Sequence, residues 1–108
     1  MKLEIVPAAQ KFYEDEMGIN EKRGVRILGK VYGESAIHEG FSIAIEAAEP
    51  TNPLVLVRYN DIPYFIEETD EWFFESFDLF VEFDDELKEP VYHFMKDGVE
   101  QFKPVHKK

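Results

Sequence analysis

The run Gly33-Glu34-Ser35-Ala36-Ile37-His38-Glu39-Gly40 brackets two carboxylates and an imidazole between glycines. Imidazole and carboxylate are ordinary ligands of iron, zinc and manganese. Glu34, His38 and Glu39 would therefore hold a divalent metal weakly if the loop folded them onto one point. No recognised ligand spacing such as His-Glu-x-x-His occurs, so the plainer expectation is a solvated polar loop. Ser35 invites comparison with a hydrolase nucleophile, but Gly33-Glu34-Ser35-Ala36-Ile37 lacks the last glycine of a nucleophile elbow, which sets hydrolysis aside.

The second candidate is electrostatic. Between Glu67 and Glu89 lie eleven acidic residues and one base, Lys88. They are interleaved with Trp72, Phe73, Phe74, Phe77 and Phe80. An acidic surface with an aromatic anchor, drawn from Glu71, Trp72, Phe74 and Glu75, would suit a basic protein partner and speed its encounter. The plainer alternative puts apolar residues inward and acids outward on an edge strand, where charge discourages aggregation. Choosing two of these acids as a glycoside-cleaving pair means nothing without their separation. His93, between Tyr92 and Phe94, reads as an exposed or satisfied imidazole, and His106 stands alone near the end. Lys103, Lys107 and Lys108 are too few to suggest nucleic acid and are placed to fold against the acidic face.

The elements that must position these residues follow from periodicity. Leu3 to Val6 reads as a short strand, and Ala9, Phe12, Tyr13 and Met17 recur at near-helical spacing between Pro7 and Gly18. Pro7 suits the first helical position and Gly18 the stop, whereas Val6 offers no side-chain cap, so packing must hold that end. Asn20 to Gly24 reads as a polar turn. The period then becomes alternating, with Val25, Ile27 and Val31 on one face of a strand and Arg26, Leu28, Lys30 and Tyr32 on the other. Phe41, Ile43 and Ile45 repeat that pattern before the loop Glu49-Pro50-Thr51-Asn52-Pro53. Leu54 to Tyr59 and Ile62 to Glu67, joined by Asn60-Asp61, suggest a hairpin in which Pro63 marks an edge or a bulge. A helical turn capped by Thr69 or Asp70 is expected near 69–75. Phe77, Leu79, Val81 and Phe83 then alternate, Pro90 to Phe94 forms a last strand, and 96–108 reads as a tail.

Composition bounds the function. The 108 residues are 44% hydrophobic and 15% aromatic, enough for one aromatic-rich core and no second domain. With no cysteine, the chain has no disulfide, thiol nucleophile or thiolate metal site. The excess of 23 acids over 12 bases, net −11, argues against binding a phosphate backbone, so nucleic acid is not expected as a partner. No apolar run of the roughly 18 residues of a membrane span occurs, and Met1 to Pro7 does not resemble a signal peptide. The expectation is a cytoplasmic protein that engages no membrane.

Several phrases taken in order give the sequence a relative. Gly24-Val25-Arg26-Ile27, Tyr32-Gly33-Glu34-Ser35, Gly40-Phe41-Ser42-Ile43, Ile66-Glu67-Glu68 with Trp72-Phe73-Phe74, and Asp78-Leu79 with Val81-Glu82-Phe83-Asp84 resemble the HesB-like family. That family includes the A-type iron-sulfur carriers and a cysteine-free, YneR-like branch. The resemblance implies a β-rich pseudobarrel of mixed sheet with one N-terminal helix, a core domain over 1–95 and a tail over 96–108. The carriers place their first cluster ligand after the glycine of a Ser-Gly pair, where this chain has Glu34, and their Cys-Gly-Cys has no counterpart from Phe94 onward. A lone carboxylate is a hard ligand that does not replace thiolate, so no iron-sulfur cluster or other cofactor is expected. The functional expectation is a non-enzymatic binding or accessory domain, related by fold to cluster biogenesis. Its alternative is a metal-dependent or small-ligand enzyme using Glu34, His38 and Glu39.

Overall fold

The computed structural model describes residues 1–31, 41–74, 77–100 and 105–106. Strand β1 (Leu3–Ile5) leads into helix α1 (Pro7–Met17), followed by β2 (Gly24–Val31), β3 (Phe41–Ala48), β4 (Pro53–Tyr59) and β5 (Ile62–Glu67). A single 3-10 turn (Glu68–Asp70) runs into helix α2 (Glu71–Phe74), and then come β6 (Asp78–Asp84), β7 (Glu89–Lys96), β8 (Val99–Glu100) and β9 (Val105–His106). The β-rich class, the mixed sheets, the N-terminal helix and the helical turn all match the sequence reading.

The strands form two sheets. In one the order is β1-β6-β7-β8, with β9 also on β7; in the other it is β3-β2-β5-β4. Each contains one parallel pair, β1 with β6 and β2 with β5, among antiparallel ones. Among the described residues no helix is long and apolar enough to cross a membrane.

Local chemistry explains the element ends. Val6 supplies no cap, and its amide instead donates to the Val81 carbonyl at 3.0 Å, so the sheet fixes the start of α1. Gly18 ends the helix in the left-handed region at φ 58°, open to glycine at no steric cost. The Asn20 carboxamide accepts the Lys22 and Arg23 amides and closes the polar turn. Asn60 and Asp61, at φ 54° and 67°, make the two-residue turn that such a pair favours in a β4–β5 hairpin.

Two expectations change. Pro63 does not mark an edge, because β5 lies inside its sheet between β2 and β4. The proline is tolerated because pairing with β2 starts one residue later, at Val25↔Tyr64, and a Cβ at Gly24 would overlap the Pro63 carbonyl. The bulge falls instead in β4, between Pro53 and Val55. Strand β6 is likewise not an edge, since β1 and β7 flank it, so its acids do not guard one. The stretch 96–108 contributes the two short strands β8 and β9, both on β7.

One core joins the sheets. Val25, Ile27, Ile43, Tyr64, Ile66, Leu79, Val81, Tyr92 and Phe94 face it from the strands, with Ala9 and Tyr13 from α1. Burial of such side chains contributes about 1.5–3 kcal/mol each and far outweighs any surface ion pair. The Tyr13 and Tyr92 hydroxyls meet at 2.6 Å inside this core, and the Tyr64 hydroxyl donates to the Gln10 carbonyl at 3.4 Å. Tyr13→Phe removes one partner of the buried hydroxyl pair and is expected to cost about 1–3 kcal/mol. The double variant with Tyr92→Phe should recover most of that loss, as urea denaturation of the four proteins of the cycle will show; equal, additive losses would contradict a coupled pair.

Candidate functional site

The described part of the acidic stretch folds as a support for one exposed aromatic. Its first acid, Glu67, ends β5 at 5% exposure. Its carboxylate accepts the Thr51 amide at 3.0 Å, the Thr51 hydroxyl at 2.8 Å and the Asn52 amide at 2.7 Å. Burial alone would raise the pKa of Glu67. The hydrogen bonds from Thr51 and Asn52, helped by the nearby charge of Arg26, outweigh burial and hold it below the ordinary value. The Glu68 amide donates back to the Asn52 carbonyl at 3.0 Å, so the 49–53 loop is pinned to the start of the 3-10 turn.

Asp70 does not cap the turn. Its carboxylate turns inward to Arg26 of β2, whose Nη2 donates to Oδ2 at 2.9 Å, with Asp70 6% exposed. The hydrogen bond from Arg26 to Asp70 raises the guanidinium pKa against the opposing effect of burial, so Arg26 stays charged. Glu46 of β3 adds a looser contact to Arg26 at 4.0 Å.

Helix α2 follows directly. Phe74 is fully buried and packs edge-on against Phe94 with ring centroids 6.0 Å apart. It therefore belongs to the core and cannot face a partner, which corrects its placement in the sequence-derived contact surface. Phe73 lies over Gly29 of β2, where any Cβ would overlap its ring. Trp72 stands edge-on to Phe73 at 5.6 Å and is 57% exposed. Glu71 and Glu68 beside it are exposed. Glu75, the fourth residue of that expected surface, lies outside the described residues, as do Glu34, His38 and Glu39 of the candidate metal loop. Lys103, Lys107 and Lys108 lie outside them too.

Other acids of the stretch accept backbone amides. Asp78 accepts the Lys2 amide at 2.8 Å, and Asp84 accepts the amides of Glu86 and Leu87 at 2.9 and 3.0 Å. The sequence did not disclose which acids turn inward, because the partners of Glu67 and Asp70 are distant in the chain. Glu82 and Glu100 instead flank His93, the isolated histidine of the last predicted strand.

Away from this surface, the described residues line hollows of two sizes. An open apolar groove of about 860 Å3 runs between β1 and β4, lined by Leu3, Val6, Val55, Val57 and Tyr59. The Gln10 side chain at its edge is committed, its Nε2 donating to the Ile5 carbonyl at 2.6 Å. A smaller hollow of about 390 Å3 lies among Phe12, Tyr13, Met17, Ile45 and the Leu87–Glu89 turn. Burial pushes the Tyr13 phenol well above its ordinary pKa and rules it out as a base. Among the described residues no group of three or more His, Asp or Glu side chains is arranged to hold a metal ion. The chemistry that this arrangement offers is contact: a fixed indole on a negatively charged face.

Among curated proteins, the chain is 30% identical over 94 residues, 87% of its own length and 99% of the relative's, to a pyruvate dehydrogenase inhibitor of Bacillus subtilis (strain 168). It is 29% identical over 99 residues, 89% of its own length and 100% of the relative's, to an uncharacterised protein of Staphylococcus haemolyticus. No protein-family model matches it.

The lowered pKa of Glu67 sets a pH dependence. Its contribution is fully present above the ordinary glutamate range and is lost as pH falls through that range and below it. Glu67→Gln is expected to lower stability at pH 7 by about 1–3 kcal/mol and to flatten the acid limb of the Tm-against-pH curve. Parallel acid limbs for variant and native protein would contradict this assignment.

Proposed function

The chain belongs to the family of the Bacillus subtilis pyruvate dehydrogenase inhibitor, and we propose from that premise that it is a non-enzymatic accessory protein that restrains an enzyme by docking on it. The relative's name supplies the partner: pyruvate dehydrogenase. The observation that carries the docking mode is Trp72, more than half exposed yet held from beneath by Phe73 over Gly29. A rigid indole loses little conformational entropy when covered, which is why tryptophan so often anchors an interface. Glu68 and Glu71 beside it, on a chain of net charge −11, favour a basic patch on the partner.

The relationship to the inhibitor fits the cysteine-free, YneR-like branch of the sequence resemblance. We extend the proposal to the wider HesB-like kinship as one of fold only. The protein then works without an iron-sulfur cluster of its own, because it has no thiolate to replace the carriers' ligands.

The test is inhibition of purified pyruvate dehydrogenase titrated with the purified chain at two salt concentrations. Activity is expected to fall with dose and the inhibition to weaken at high salt. Trp72→Ala should raise the half-inhibitory concentration by about tenfold or more, the scale of an aromatic anchor. Glu34→Ala combined with His38→Ala should leave inhibition intact. Absence of inhibition by the native chain overturns the function, and full potency of Trp72→Ala overturns the docking mode. Inhibition that requires added metal and fails in the Glu34/His38 variant favours the metal-dependent alternative.

A further inference from the structure

The two outward acids next to Trp72 share one ridge. The Glu71 amide donates to the Glu68 carbonyl and closes a single 3-10 turn, a geometry in which side chains three apart stand one above the other. Asp70, between them in the chain, turns inward to Arg26, so only Glu68 and Glu71 face out. Like charges at this spacing repel. Glu68 is nevertheless held there, because the Asn52 carboxamide nitrogen donates to its Oε2 at 2.9 Å. Among the described residues neither carboxylate forms an ion pair.

Trp72 follows the ridge directly and is the one aromatic among the large apolar side chains that the described residues leave exposed. Its ring meets Phe73 at 82°, edge to face, so Phe73 engages at most one face of the indole. An indole face is the strongest of the aromatic faces for a cation. A π surface and two carboxylates without a counter-charge therefore lie together.

We propose that this place takes an arginine side chain of the partner, its guanidinium stacked on the Trp72 indole and its N–H groups turned to Glu68 and Glu71. The inference rests on the docking reading above and names the group that is docked. Charge complementarity selects a cation, and shape selects between cations. A guanidinium is planar, weakly hydrated and carries five donors in its plane, so it can lie on a ring and reach two carboxylates at once. An ammonium is a compact, strongly hydrated point charge and does one or the other. A second copy of this chain is disfavoured, since it would bring another net charge of −11 to an acidic face.

The test is an NMR titration of the whole native chain, read at the indole N–H of its single tryptophan. The probes are a blocked five-residue peptide with one arginine among glycines and its lysine counterpart. The arginine peptide is expected to give a saturable shift and to bind at least about threefold more tightly than the lysine peptide. Glu68→Gln and Glu71→Gln should each weaken it severalfold. Trp72→Leu, apolar but without a π face, should abolish binding as read at the Phe73 amide. No shift, equal binding of the two peptides, or binding indifferent to both glutamine variants overturns the arginine site. An indole signal that moves on dilution of the native chain alone assigns the face to a second copy and overturns it too. Enzyme inhibition is scored separately. Inhibition by a chain that does not prefer arginine overturns this occupant and leaves the docking function standing, whereas arginine selection by a chain that does not inhibit does the reverse.

Discussion

The contact between Arg26 and Asp70, backed by Phe73 lying over Gly29, fixes what this protein shows to its surroundings. Helix α2 has four residues, far too few for a helix to persist on its own in water. Its position comes from tertiary bonds: Asp70 held to β2 before it, Phe73 seated on β2 within it, and Phe74 sunk against Phe94 of β7. A partly buried ion pair contributes little net stability relative to apolar packing, but removing either partner strands a charge. Its value here is in register. It makes one seating of α2 on the sheet much better than its neighbours, and the indole of Trp72 inherits that precision.

The same economy governs the acidic stretch. Most proteins this acidic would carry their carboxylates as solvated charges, mutually repelling and weakly destabilising. Here Glu67 and Asp70 are withdrawn into hydrogen-bonded positions, Asp78 ties the start of β6 to the Lys2 amide ahead of β1, and Asp84 closes a local turn. Glu68 and Glu71 remain exposed around Trp72 and leave a negative field where a partner would arrive. The chain's charge is therefore divided between hydrogen-bonded, inward-turned carboxylates and an exposed field. Beneath it, the tyrosine pair Tyr13–Tyr92 joins α1 to β7 through the core.

Local physics made much of the fold legible. Pro7 and Gly18 bound α1, Asn60-Asp61 turns the β4–β5 hairpin, and the alternation of Leu79 and Val81 identifies the buried face of β6. What escaped was non-local. Asp70 resembled a helix cap because caps are read from neighbours in sequence, while its partner Arg26 stands forty-four residues away. Pro63 resembled an edge marker because nothing local reveals that β2 begins pairing only after it. In the candidate site Trp72 was legible as an exposed aromatic, but Phe74 was not legible as core, since aromatic residues two apart on a single helical turn look alike in sequence. The His93 arrangement was invisible for the same reason, being built from three strands.

Trp72 is the chain's single tryptophan, so the time-resolved fluorescence anisotropy of its indole reports α2 without interference. A docking anchor held by Phe73 and Asp70 must tumble with the whole protein, giving a decay dominated by overall rotation. Gly29→Ala, which drives a methyl group into the Phe73 ring, must add a fast local component. A large fast component already present in the native protein would contradict the central claim that this surface is fixed in advance.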